Sequence, residues 1–131
     1  MKEQDNMSQA ELEKLIDVLA KQAGRIRELE QSADRYLHQE NDTVQYKALL
    51  QDKAEILSGL SELAQPYVEN LSANLQEKVA RQLESFAHNA LQAINVDSVF
   101  FMRQLLYPED YEEGRENDLE RFISSLRQIE G

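Results

Sequence analysis

The chain has 131 residues with 41% hydrophobic and 30% charged side chains, a globular balance, and a length sufficient to bury a core as a single domain over 1–131. It contains no cysteine, which excludes a disulfide framework, a thiolate metal site and a cysteine nucleophile. The net charge of −11 works against a non-specific grip on nucleic acid or anionic membrane, because both need clustered Lys and Arg.

That charge is uneven: residues 1–107 carry 17 acidic and 11 basic side chains, and the last 24 residues carry 8 and 3. Met1 to Asn6 has no apolar stretch of the kind a secretory signal requires, and nowhere do eighteen apolar residues run together, so the expected location is cytoplasmic.

A disordered tail is expected over 1–7. Ser8-Gln9-Ala10-Glu11 then has the spacing of a capping box. From Leu12 to Leu37 apolar residues return in steps of three and four, through Leu15, Ile16, Leu19, Ala23, Ile26, Leu29 and Ala33, which predicts one long helix. The polar link His38–Asp42 is short enough to make the next helix antiparallel, with Asp42 as its cap.

The second helix carries Tyr46, Leu49, Leu50, Ala54, Ile56, Leu57, Leu60 and Leu63, and Pro66 is expected to end it at Gln65. Ser72 is placed to cap a third helix with Leu75, Val79, Leu83, Phe86, Ala90, Leu91 and Ile94. Asp97 or Ser98 opens a fourth, short apolar element from Val99 to Tyr107, ended by Pro108. With no second strand candidate to pair with it, a helix is expected there. An exposed acidic loop over 109–118 leads to a last amphipathic helix with Leu119, Phe122, Ile123, Leu126 and Ile129, capped by Asn117 or Asp118.

The fold expected is an all-α antiparallel bundle of four to five helices, the first the longest, with Leu19, Ile26, Leu50, Leu57, Leu60, Val79, Leu83, Phe86 and Leu91 in the core. At 1.5 Å per residue the first helix spans roughly 45 Å, beyond the reach of its neighbours. Its first turns must fray, pack on the C-terminal helix, or meet a second subunit, which raises a homodimer through the N-terminal helix.

The hairpin from Leu12 to Leu63, with Lys53-Ala54-Glu55-Ile56-Leu57 and Leu60, resembles the long antiparallel helices of bacterial export chaperones and similar adaptors. That likeness is one of pattern, and it assigns a role to no residue.

Phe100, Phe101, Met102, Leu105, Leu106 and Tyr107 bear most on function. Consecutive helical residues point about 100° apart, so Val99 to Met102 cannot share one stripe. Either this element is buried nearly all round, the commoner fate of large apolar residues, or part of it is a binding surface. The acidic residues that follow, Glu112 and Glu113 with Tyr111, would suit a basic amphipathic segment of another protein. A protein partner is therefore expected, at Phe100, Phe101, Met102, Leu105, Tyr107, Tyr111, Glu112 and Glu113.

Other chemistry is sparse. Glu84 and His88 share a helix face four residues apart and are an alternative metal or small-ligand pair, against the simpler expectation of a surface ion pair and no cofactor. Glu109 to Glu120 has the length of a calcium loop with Gly114 sixth and Glu120 last. Its first position is Glu, however, and its third, Tyr111, lacks a carboxylate. A basic cluster such as Lys21, Arg25 and Arg27 could form a local patch, although the net charge makes nucleic acid the least expected partner. No nucleophile elbow, phosphate loop or zinc-protease motif is present, so no enzyme is expected.

Overall fold

A computed structural model of the chain describes residues 2–130, with side chains from Gln9 to Ile129. It comprises α1 (Lys2–His38), α2 (Thr43–Ser58), α3 (Leu60–Val68), α4 (Ala73–Asn95), α5 (Val99–Gln104) and α6 (Asp118–Glu130). Only Gly59 separates α2 from α3, so the architecture is the expected all-α bundle with its first helix longest, and no strand occurs among the described residues.

α1 runs through Ser8, where the helix was expected to begin after a disordered tail. Lys2, Glu3, Gln4 and Met7 are unbranched helix formers, and no Gly or Pro stands among them to stop it. Met1 and the Ser8 hydroxyl lie outside the described residues. At the other end Asn41 adopts φ 50°, and the chain turns back with the Asp42 amide donating to the Tyr36 carbonyl at 2.9 Å. Asp42 caps α2 as expected, its Oδ1 accepting from the Gln45 amide at 2.9 Å.

Pro66 does not end the second helix. α3 passes through it to Val68, and the interruption falls at Gly59 instead. Glu62 and Pro66 both face solvent, so water can satisfy the carbonyl that proline leaves without a donor, while Val68 is carried on into the core. Pro66→Ala is expected to raise the unfolding free energy by roughly 1 kcal/mol, read by urea denaturation.

Ser72 occupies the cap position of α4 but makes no side-chain capping bond. The Gln76 side chain donates to the Val68 carbonyl at 3.0 Å and joins the end of α3 to the start of α4.

The core has two storeys. The lower gathers Leu12 to Ile26 of α1 with α3, the first half of α4 and Leu119, Phe122, Ile123 and Leu126 of α6. The upper packs Ala33, Leu50, Ala54 and Ala93 beneath Met102 of α5. Each large side chain fully buried there contributes roughly 1.5–3 kcal/mol.

Of the expected core, Leu91 is misplaced: it is 47% exposed, because Ala90 and Ala93 take the inward positions of that turn of α4. The apolar stripe of α1 from Leu12 to Ile26 is covered by α3 and α6, both packing on it.

α5 is shorter than expected. It ends at Gln104 rather than reaching Tyr107, because Leu105 turns extended (ψ 131°) and Leu106 enters the left-handed region at φ 78°. The Leu106 carbonyl then accepts the Asp118 amide at 2.9 Å, which clamps the two ends of the connection to α6 together.

Candidate functional site

α5 divides the apolar cluster rather than burying it. The Ser98 hydroxyl accepts from the Phe101 amide at 3.1 Å and starts the helix with Met102 pointing inward, fully buried. With that register set, the 100° step turns the neighbouring rings outward. Phe100 is 67% and Phe101 54% exposed, and the two rings pack edge to face with centroids 5.8 Å apart.

Val96 and Val44 are exposed at the same end of the bundle, where Lys47 at the start of α2 pairs with Asp97 of the α4–α5 link at 2.9 Å. Val99 and Leu105 are half-buried against the upper core.

Residues 105–117 form a strap between α5 and α6. Its carboxylates Glu109, Asp110, Glu112 and Glu113 are exposed, as expected of an acidic loop, but its tyrosines are not free. Tyr107 donates its hydroxyl to Glu30 at 2.6 Å, and Tyr111 donates to the Arg115 carbonyl at 2.6 Å; the two rings meet edge to face at 4.7 Å.

Arg27 of α1 fastens the strap and α6 together. Its guanidinium forks onto Glu120 (Nη2–Oε1 2.7 Å, Nε–Oε2 3.1 Å) and also donates to the Tyr107 hydroxyl at 3.2 Å and the Arg115 carbonyl at 3.0 Å. Asn117 and Glu120 complete a reciprocal capping box at the start of α6, each side chain accepting the other's amide at 2.9 Å. Hydrogen bonding to Glu120 raises the Arg27 pKa. Burial pushes the Glu120 carboxyl up, but the Arg27 bond, the Asn117 amide and the Arg27 charge outweigh it, and the net shift is downward.

Beneath Tyr107 lies Lys53 of α2, fully buried. Its Nζ sits 2.9 Å from Glu30, donates to the Arg103 carbonyl at 3.0 Å and lies 5.0 Å from the centre of the Tyr107 ring. Burial lowers the Lys53 pKa and Glu30 only partly offsets it. Burial also raises the Tyr107 pKa, reinforced by its hydrogen bond to Glu30.

Above this network a cleft of about 660 Å³ opens between α1 and the strap, bordered by Asp34, Arg103, Gln104, Glu109 and Glu113. Arg103 is held by Asp34 at 2.6 Å, and the strap carboxylates bordering the cleft are exposed to whatever enters it. Gln104 lies four residues beyond Phe100, so the exposed rings and the cleft adjoin along one side of α5.

The sequence-predicted residues thus separate by role. Phe100, Phe101, Glu112 and Glu113 are surface; Met102 is core; Leu105 is half core; Tyr107 and Tyr111 hold the strap down. Glu30 and Lys53 were missed, and Arg27, Asn117 and Glu120 were noticed only as part of a basic cluster, a helix cap and a calcium-like loop. The signal that could have found Lys53 is its spacing: it stands three after Leu50 and four before Leu57, both inward positions of α2.

Glu84 and His88 are exposed on α4, and no group of three or more His, Cys, Asp or Glu gathers to hold a metal among the described residues. Glu120, last in the calcium-like loop, is committed to Arg27. Arg27 also leaves the basic cluster, so only Lys21 and Arg25 of that trio face solvent. No helix among the described residues is long and apolar enough to cross a membrane. In comparison with known proteins the chain matches no family model, no curated protein and no solved structure.

Proposed function

We propose that the protein is a non-enzymatic interaction module, an adaptor or chaperone-like bundle, that receives a basic amphipathic segment of a partner protein across α5 and the acidic strap. The observation that supports this most is the pair Phe100 and Phe101, held in solvent edge to face while the next residue, Met102, is fully buried. The capped register of α5 presents these rings rather than hiding them.

The chemistry of the partner follows from the surroundings. An apolar anchor would sit on the two rings, and Lys or Arg side chains would reach Glu109, Glu112 and Glu113, whose like charges repel any acidic segment. The hydroxyls of Tyr107 and Tyr111 are already engaged, and Lys53 is covered, which leaves the two rings and the strap carboxylates as what this region presents.

The test is the double variant Phe100→Ser/Phe101→Ser. Its unfolding free energy should stay within about 0.5 kcal/mol of the parent, as expected for exposed positions. Binding of a synthetic helical peptide with a leucine stripe and a lysine face should fall at least tenfold by calorimetry, and binding to the parent should weaken as salt rises. Unchanged peptide affinity in a folded double variant refutes this surface as the site.

A further inference from the structure

α6 buries Leu119, Phe122, Ile123 and Leu126 in the lower core, but its backbone follows a single neighbour. Its backbone lies close to α1 and to no other helix, whereas α4 has α2, α3 and α5 as neighbours. Toward α4 it leaves a groove of about 580 Å³ floored by Leu57, Phe86 and Phe122, and the two helices meet there through the edge-to-face pair Phe86–Phe122 at 6.2 Å. On the α1 side a second hollow lies between α6 and the row Ala20, Ala23 and Gly24, with Arg27 at its end.

The strap leading to α6 carries costs that exist only while it is closed. Leu106 is a leucine in the left-handed region (φ 78°), a strained backbone state for any residue but glycine. The Asn117 side-chain nitrogen is buried with no hydrogen-bond partner. Lys53 is kept from water by the ring of Tyr107 above it. Lifting the strap relieves all three, while the cores built from α1 to α5 keep most of their members.

We infer that residues 105–130 are a detachable latch, and that the seat beneath α6 is a second docking surface normally blocked by the chain's own helix. Its occupant is an amphipathic helix with apolar residues at the spacing of Leu119, Phe122, Ile123 and Leu126, and a carboxylate placed like Glu120 to meet Arg27. α6 itself is the template for that partner, and the charge complementarity is the Arg27–Glu120 fork at 2.7 and 3.1 Å. The seat is separate from the exposed rings of α5, although the latch carries the strap carboxylates Glu109, Glu112 and Glu113, and its test does not depend on a basic segment binding there.

The experiment uses the full chain and a fluorescent peptide spanning residues 117–131. Glu120→Ala in the chain removes the Arg27 fork and the carboxylate half of the capping box from the resident helix, but leaves the seat and Arg27 intact. The peptide should bind this variant at least tenfold more tightly than the parent chain, and a peptide carrying Phe122→Ala and Leu126→Ala should not bind. A variant that is folded by circular dichroism yet binds the peptide no more tightly than the parent overturns the inference. Should the variant not fold, amide exchange of the parent chain decides. Amides of α6 exchanging together at least a hundredfold faster than those of α4 support the latch, and equal protection of both helices overturns it.

Discussion

Lys53→Met is expected to lower the unfolding free energy by about 3 kcal/mol, measured by urea denaturation at neutral pH. Methionine fills the space of the lysine stem, so the loss comes from what remains behind. Glu30 is left largely buried with a single hydrogen bond from Tyr107, and the Arg103 carbonyl loses its donor. Replacing both ends together, with Glu30→Leu/Lys53→Met, should return stability to within about 1 kcal/mol of the parent, because a buried pair breaks roughly even against well-packed apolar groups. A double variant as unstable as the single one would show that the surrounding geometry, rather than the orphaned charge, dominates.

The same lysine predicts a pH dependence. Its folded pKa lies below the ordinary 10.5, so in the interval between the two values the unfolded chain holds the proton more often than the folded one. Stability therefore rises with pH across that window, and the gap between parent and Lys53→Met widens with it. Tyr107 acts in the opposite sense higher up. Its folded pKa is raised above 10.0, so its contribution is complete below that pH and is lost as pH climbs through the folded value.

Arg27→Ala is the second large effect, expected to cost about 2 kcal/mol, since it removes a bidentate ion pair and three further hydrogen bonds, to the Tyr107 and Tyr111 hydroxyls and the Arg115 carbonyl, from partly exposed positions. Loss of the fastening should show locally before it shows globally. Limited proteolysis between residues 109 and 116 should accelerate at least tenfold, while α1 to α4 remain protected. Arg27→Lys should recover less than half of the lost stability, because an ammonium cannot fork onto both Glu120 oxygens.

The acid side offers an independent check. The Glu120 carboxyl is held below its ordinary 4.5, so the stability it contributes is present above that pH and lost as pH falls through the lowered value. Arg27→Ala should flatten this part of the acid titration, and an unchanged acid limb would remove Arg27 as the group responsible.

Helix positions and most of the core were legible in the sequence, because burial along a helix is written by apolar residues every three or four positions, a signal local in the chain. Leu19, Ile26, Leu57, Val79 and Leu83 are buried for that reason, and Asp42, Ser98 and Asn117 cap where short polar side chains precede such stripes. The errors arose where local signals compete. Pro66 reads as a stop but sits on a solvent-facing turn that tolerates it. Leu91 reads as core, but alanines one position before and two after it took the inward places.

What only the tertiary structure decided is which polar groups leave the surface. The spacing of Lys53 between Leu50 and Leu57 marks the inward face but does not by itself bury a lysine; its fate depends on Glu30, 23 positions earlier, and on Tyr107, 54 positions later, arriving around the same point. The same holds for Arg27 and Glu120, and for the outward turn of Phe100 and Phe101 once Met102 has taken the single inward place on a short helix. Charge pairing across such distances is set by how whole helices pack, and residue order alone does not encode it.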